Sequence, residues 1–163
     1  MRKRVIFENF ISENLDRAYG FAFTYMKNRE DAEDVVSESV TKALESINSL
    51  REENYVKTWF YRIIANTAKN VLRKKHRFIS VELDEKTGEI AENDDYSDIF
   101  LRDILDGISE KYREIVVLKY CENMTFAEIA EVCGINENTA KTRLYAALRA
   151  LRRNMEGKNE KLC

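Results

Sequence analysis

The sequence predicts an all-α protein with two small helical domains joined by a flexible acidic linker, the second domain containing a helix-turn-helix. Its 163 residues include no proline and only five glycines, whereas residues that favour helices are abundant. Apolar residues recur every three or four positions along most of the chain, as they do in a helix with one buried face. This period fails between residues 80 and 96, where acidic residues dominate. We therefore predict domains at 1–78 and 97–163 and a linker at 79–96.

Three amphipathic segments form the predicted first domain. The first has its apolar positions between Phe7 and Met26. The second begins in the sequence NREDAEDVV, with Asp31 as the expected N-cap and further acids in the first turn, where the positive end of a helix favours them. The third extends from Val56 to the basic sequence RKKHR, which ends at Arg77. The face of the second helix opposite its apolar stripe carries Asp34, Ser37, Glu38, Thr41 and Glu45.

Within the predicted second domain, apolar periodicity resumes at Ile99. Ser109 is the expected N-cap of a helix that ends near Asn123, since asparagine tolerates a left-handed corner. The cysteines are odd in number and lack metal-ligand spacing, which fits reduced thiols better than disulfides. We therefore expect Cys121 and Cys133 in the core.

Residues 125–153 change character at Gly134. Thr125 and Glu128 have the spacing of a capping box, which satisfies the free amides in the first turn of a helix. Gly134 supplies the positive φ that a tight corner needs, and Asn136 caps the helix that follows. Two helices joined by a glycine corner predict a helix-turn-helix.

The second helix of this motif has an apolar and a polar side. The apolar side comprises Ala140, Leu144, Ala147, Leu148 and Leu151. The polar side comprises Asn138, Lys141, Thr142, Tyr145, Arg149 and Arg152. Such a face suits the major groove of DNA, where Asn138 and Lys141 would read base edges and the arginines would hold phosphates. The alternative is an ordinary solvated helix face.

A second basic stripe lies on the predicted helix 56–77. It comprises Arg62, Asn66, Lys69 and Arg73, spaced i, i+4, i+7 and i+11. Aromatic residues cluster where the stripe begins, and rings beside positive charge suit single-stranded nucleic acid, whose bases stack and whose phosphates need counter-charges. Trp59 and Phe60 fall on the apolar face and are expected mainly in the core. Tyr61 and Asn66 are therefore the better candidates for contacting bases.

The charges are segregated, although the net charge is only −2. Residues 55–77 and 136–153 are basic, and residues 82–98 between them carry eight acids against one lysine. Two basic surfaces separated by a repelling segment predict a polyanionic partner. The sequence has no nucleophile–base constellation, P-loop, HExxH motif or metal-ligand spacing, so we expect no enzyme activity, cofactor or metal. It has no signal peptide or membrane span, which predicts a cytoplasmic protein without membrane insertion.

Three segments together carry a family resemblance. They are DAEDVVSESVTKALESI (31–47), YVKTWFYRIIANTAKNVLRKKHR (55–77) and ISEKYREIVVLKYCENMTFAEIAEVCGINENTAKTRLYAALRALRR (108–153). In this order they closely resemble the extracytoplasmic-function group of bacterial sigma factors, over almost the whole chain outside the linker. The resemblance implies a specificity subunit of RNA polymerase. Its region two would bind core polymerase and the melted minus-ten element, and its region four the minus-thirty-five element. An anti-sigma factor is a further partner that the resemblance implies.

The resemblance also assigns residues to three surfaces. The surface for the clamp helices of the largest polymerase subunit comprises Asp31, Glu33, Asp34, Ser37, Glu38 and Thr41. The surface for the single-stranded minus-ten element comprises Tyr61, Arg62, Asn66, Lys69, Asn70, Arg73 and Lys74. The surface for the minus-thirty-five major groove comprises Asn136, Glu137, Asn138, Thr139, Lys141, Thr142, Arg143, Tyr145 and Arg149. Two positions depart from the family pattern: Ser37 stands where glutamine is usual, and Asn123 stands where glycine is common.

Two other functions fit the same features. A stand-alone helix-turn-helix transcriptional regulator would bind duplex operator DNA by itself, as a dimer, and would leave the acidic face of residues 34–45 without a role. A helical adaptor would use its basic surfaces on acidic proteins. Dependence on core polymerase distinguishes a sigma factor from both.

Overall fold

The computed structural model describes residues 2–79, 105 and 107–162. Its contacts divide the chain into two units, Met1–Ile90 and Ala91–Cys163. In the described residues, every regular element is helical, which confirms the all-α prediction. Except for Ile79, the predicted linker lies outside the described residues.

The first unit consists of three helices that pack against one another in all three pairs. They are α1 (Arg2–Met26), α2 (Arg29–Glu45) and α3 (Val56–Ile79). Two short 3-10 turns, Ile47–Ser49 and Glu53–Tyr55, lie between α2 and α3. The three amphipathic segments predicted from the sequence are therefore three helices.

Helix α1 begins at Arg2, earlier than its apolar spacing indicates, and it is kinked at Asn14, whose φ is −122° and ψ 17°. The Asn14 side-chain amide donates to the carbonyl oxygen of Phe10 at 2.9 Å. An asparagine that bonds to the preceding turn competes with the helical backbone bonds, which accounts for the kink. Leu15 follows the kink and is 51% exposed although it fits the apolar period.

Aromatic rings fill the centre of the first unit. The rings of Phe7 and Phe60 meet edge to face with centroids 5.0 Å apart. The rings of Phe21 and Tyr61 are stacked, with centroids 4.9 Å apart and an interplanar angle of 13°. All four side chains are at most 1% exposed. Burial of rings of this size supplies much of the hydrophobic stabilisation of so small a unit.

The connection between α2 and α3 is fastened by Trp59. Its indole Nε1–H donates to the Ser49 hydroxyl oxygen at 2.9 Å, and its ring centroid is 5.8 Å from that of Phe7. Leu50, next in the chain after Ser49, is 1% exposed. Trp59 is half-buried, so the prediction that it belongs to the core is confirmed only in part.

The second unit is built on one long helix. Its elements are α4 (Glu110–Val116), a π-helical turn (Val117–Cys121), α5 (Phe126–Cys133) and α6 (Glu137–Leu162). Helix α6 packs against both α4 and α5. Ser109 occupies the N-cap position of α4 as predicted, but its side chain makes no capping hydrogen bond.

The corner before α5 is formed by Asn123, which has the predicted left-handed backbone with φ 53°. The prediction that Cys121 lies in the core is wrong, because its side chain is exposed. Cys133, also predicted in the core, is only half-buried. Cys121 ends the π-helical turn. Because such a turn holds an extra residue, the side chains at its end are rotated away from the α-helical period on which the prediction depends.

Candidate nucleic-acid interface

The helix-turn-helix is fixed by hydrogen bonds at both helix starts. The Thr125 hydroxyl accepts from the Glu128 amide, and the Glu128 carboxylate accepts from the Thr125 amide, both at 3.2 Å. Gly134 ends α5 with φ 69° and ψ 37°. The Asn136 side-chain oxygen then accepts from the Thr139 amide at 2.7 Å. The predicted capping box, left-handed corner and second cap are all confirmed, and together they determine how α6 leaves α5.

The polar side of α6 faces away from the core of the second unit. Ala140, Leu144 and Ala147 are buried on the inner side, at most 4% exposed. Of the predicted minus-thirty-five residues, those on the outer side are exposed, namely Asn136, Glu137, Asn138, Lys141, Thr142, Tyr145 and Arg149. Thr139 and Arg143 are half-buried at the margins.

The sequence prediction for Leu148 is wrong, because 36% of the residue is exposed rather than buried in the apolar stripe. Helix α6 also continues beyond the basic sequence that ends at Arg153, as far as Leu162. Arg152, expected to hold a phosphate, pairs with Glu156 at 3.6 Å in the added length. Both partners are largely exposed, so this pair contributes little and does not prevent a phosphate contact.

Two residues beside this face were missed by sequence reasoning. Nζ of Lys119 is 4.5 Å from the centroid of the Phe126 ring, and Nζ of Lys141 is 5.7 Å from the same centroid. Lys119 lies before the helix-turn-helix and Phe126 opens α5. The three positions belong to three different elements, and the corner at Asn123 separates Lys119 from Phe126, so only the fold reveals that they meet.

The basic stripe on α3, extended by Asn70 and Lys74 of the predicted minus-ten surface, is exposed at all but one position. Arg62, Asn66, Asn70, Arg73 and Lys74 are exposed, and Lys69 is half-buried. Nitrogen donors and amide groups of this kind bind phosphates and base edges. The stripe therefore presents positive charge with two amides along one side of α3.

The prediction that Tyr61 contacts bases is wrong. Tyr61 is 1% exposed, and its ring stacks on Phe21 of α1. The buried side of α3 is two side chains wide, since Phe60 and Ile64 lie on it together with Tyr61 and Ala65. Both Phe60 and Tyr61 are therefore buried, although they are neighbours in the sequence. A buried side only one residue wide would have left one of them exposed.

The N-terminus of α2 differs from its prediction. The N-cap is Asn28, whose side-chain oxygen accepts from the Asp31 amide at 2.8 Å, so Asp31 lies inside the first turn. The Asp31 carboxylate accepts from the Asn28 side chain at 2.6 Å and forms an ion pair with Lys75 of α3. Asp31 is half-buried. This residue, predicted to contact polymerase, therefore also joins α2 to the basic end of α3.

The remaining predicted polymerase residues form an exposed face on α2, and they are Glu33, Asp34, Ser37, Glu38 and Thr41. Two ion pairs run along the same helix, Arg29 to Glu33 at 3.2 Å and Lys42 to Glu38 at 3.1 Å. Exposed pairs of this kind are weak and are easily exchanged for partner contacts. The face therefore offers carboxylates and hydroxyls to a partner.

Across residues 2–79 and 107–162, no cluster of three or more His, Cys, Asp or Glu side chains could hold a metal ion. Over the same ranges, none of the helices combines the length and the apolar composition needed to cross a bilayer.

Comparison with known proteins identifies the family of the chain. The Sigma-70 region 2 family model matches residues 10–78, and the Sigma-70, region 4 model matches residues 101–151. RNA polymerase sigma factor SigV of Bacillus subtilis (strain 168) is 41% identical over 145 residues, which cover 87% of this chain and 86% of SigV. The ECF RNA polymerase sigma-E factor of Haemophilus influenzae is 30% identical over 160 residues, covering 86% of this chain and 82% of that protein. The chain belongs to the extracytoplasmic-function sigma factors.

A sigma factor directs promoter recognition and the initiation of transcription, and this is the function of the chain. The region 2 match covers most of α1, all of α2 and nearly all of α3. The region 4 match covers α4, α5 and more than half of α6. A solved structure of the sigma factor RpoE, in complex with the anti-sigma factor NepR from Bartonella quintana, matches the fold of this sigma factor with a TM-score of 0.81. It has 22% identity, and the match covers 92% of this chain and 96% of that one.

Proposed function

We propose that this sigma factor contacts its partners through three surfaces. The exposed face of α2 binds the clamp helices of the largest subunit of core RNA polymerase. The basic stripe of α3 binds the single-stranded minus-ten element, and the outer side of α6 binds the minus-thirty-five element in the major groove. The observation that supports this best is that each surface lies opposite the buried side of its own helix, so all three are available without unfolding.

The proposed contacts at the minus-ten element differ from those of a stacking platform. With Tyr61 in the core, the exposed groups among the predicted minus-ten residues are cations and the amides of Asn66 and Asn70. Amide side chains can pair with the edges of unstacked bases, and cations hold the phosphates on either side. Extruding a base costs on the order of a few kcal/mol, which these contacts offset once polymerase holds the duplex.

At the minus-thirty-five element, the proposed contacts follow from the order of side chains along α6. Asn138 and Lys141 lie in its first turns and read base edges, because the N-terminal part of a recognition helix reaches farthest into the groove. Thr142 and Tyr145 contact apolar groups such as thymine methyls. Arg149 and Arg152, farther along, contact phosphates.

The proposal extends to the setting in which the protein acts. It acts in the cytoplasm, where core polymerase is found, and it contributes binding energy rather than catalysis. It consists of domains at 1–78 and 97–163 joined by an acidic linker at 79–96. An anti-sigma factor regulates it, as suggested by the solved complex of RpoE with NepR.

Reconstituted transcription tests the proposal. Core RNA polymerase, the purified chain and a promoter library are combined, and transcripts are sequenced. We expect start sites to share two sequence elements, and we expect no specific initiation when either protein is omitted.

The competing function, a stand-alone regulator of duplex DNA, is tested with the promoters so selected. The isolated chain should bind their duplex weakly, and sequence-specific opening should require core polymerase. Tight, sequence-specific binding by the chain alone would favour the regulator and contradict the proposed division of surfaces.

A further inference from the structure

Lys119 and Lys141 both lie against the ring of Phe126, at 4.5 and 5.7 Å from its centroid. Ammonium groups within about 6 Å of an aromatic centroid are attracted by the quadrupole of the ring. The three residues belong to three different elements, the π-helical turn, α6 and the first position of α5. The ring therefore brings two cations together beside the start of the helix-turn-helix.

The two ammonium groups are close enough to repel each other. Their separation cannot exceed the two centroid distances together, about 10 Å, which is comparable with the Debye length of ~8 Å at physiological ionic strength. An anion that contacts both would relieve this repulsion. One DNA strand carries a phosphate for about every 3.4 Å of helix rise and the phosphates also turn around the axis, so two neighbouring phosphates can lie within that span.

We propose that Phe126 is a positioning residue, which holds Lys141 in its base-reading orientation and Lys119 against the neighbouring phosphate backbone. The inference rests on the proposed function, because it requires α6 to lie in the major groove. Lys119 is absent from the predicted DNA-binding set and is added to it here as a phosphate contact.

The physical reason for such a residue lies in the lysine side chain. The side chain of Lys141 is exposed, long and flexible. A side chain of this kind loses rotamer freedom when it binds a base. Attraction to the Phe126 ring removes part of that freedom before DNA arrives, so less is lost on binding. The gain is specific to Lys141 and should disappear when its charge is removed.

The test compares F126L, which keeps an apolar side chain, with F126Y, which keeps the ring. Each full-length variant is combined with core polymerase, and filter retention measures affinity for promoters with single base-pair changes across the upstream element. F126L should reduce discrimination among these promoters by about two- to fivefold, the equivalent of one exposed cation–π contact. F126Y should discriminate as well as the unsubstituted protein.

Two lysine variants separate positioning from packing. In a K141M background, F126L should change discrimination no further. K119M should weaken binding to all upstream sequences alike. It should also make the slope of log affinity against log salt concentration shallower by about one. Thermal unfolding of each variant, followed by circular dichroism, shows whether the fold is retained.

The possible results are distinguishable. If K141M lowers discrimination but F126L does not, or if F126L acts equally with and without Lys141, the positioning role of Phe126 is overturned while the proposed function stands. If K141M leaves discrimination unchanged, Lys141 does not read bases in the major groove. In that case both the proposed contact of Lys141 and the positioning role of Phe126 are overturned. An unaltered salt slope in K119M removes Lys119 from the DNA surface.

Discussion

Tyr61 illustrates how far residue type can predict a role. An aromatic residue beside Arg62, at the start of a cationic stripe, has the composition of a base-stacking site. The structure instead places it 1% exposed and parallel to the ring of Phe21. Its burial depends on a residue in another helix, forty positions away, and no local spacing contains that information.

We expect Tyr61→Phe to leave promoter opening unchanged, because the stacked ring is kept and no base is contacted. Tyr61→Ala should instead lower the free energy of unfolding by ~3–5 kcal/mol, as expected for loss of a buried aromatic side chain. Permanganate reactivity of promoter thymines measures opening, and urea titration measures stability. Asn66→Ala is the matched control, since it should impair opening without loss of stability. Defective opening by a stable Tyr61→Phe protein would return the residue to the DNA surface.

Asp31 shows a second limit of the same kind. Asparagine and aspartate are both good N-caps, and the sequence places one at 28 and the other at 31. The choice is made by the backbone, which is extended at Asn28 with φ −141° and ψ 152°. The ion pair of Asp31 with Lys75 is equally invisible in the sequence, because it joins two helices.

At the scale of elements, the sequence predicts best what is determined locally. The caps of α5 and α6 and the left-handed corners at Asn123 and Gly134 depend on side chains a few residues apart, and all are confirmed. The kink in α1 and the π-helical turn depend on competition between backbone bonding patterns, which apolar spacing does not report. These are also the places where Leu15 and Cys121 turn outward.

Gly134 allows a test of the corner that joins α5 to α6. Its φ is 69°, and a Cβ there would meet nothing within 4 Å, so the cost of a side chain is conformational and not steric. We expect Gly134→Ala to destabilise the second unit by ~1–2 kcal/mol, and Gly134→Asn to cost less. Amide hydrogen exchange of peptides from α5 and α6 measures the change.

Gly20 supplies the control for this experiment. It lies within α1, and a Cβ there also meets nothing within 4 Å, so Gly20→Ala should stabilise the first unit by up to ~1 kcal/mol. Equal effects of the two glycine-to-alanine changes would contradict a left-handed requirement at Gly134.

For the whole molecule, the distribution of charge matters more than its sum. A net charge of −2 conceals cationic faces on α3 and α6, one in each unit, and an acidic face on α2. The order of these blocks is readable from the sequence, because charged side chains are mostly exposed wherever they fall. Which carboxylates remain available to a partner is not readable, as the pairing of Asp31 across two helices shows.

Reversal of one charge tests whether the acidic face brings the molecule to polymerase. We expect Asp34→Lys to weaken association with core RNA polymerase by at least ~2 kcal/mol, since it places a like charge where a complementary one is proposed. Glu13→Lys makes the same change at an exposed position of α1 and should have no effect. Pull-down with immobilised core enzyme measures both. Retained association of Asp34→Lys, with unchanged helicity, would show that another surface docks the polymerase.

The bond between Trp59 and Ser49 has a practical consequence for studying the two halves of the protein separately. The chain contains one tryptophan, and its half-buried indole is tied to the connection between α2 and α3. Indole emission shifts with the polarity around the ring, so selectively excited fluorescence reports on the first unit. A titration with promoter strands, which contain no indole, would then register events at region 2 while remaining silent about the helix-turn-helix.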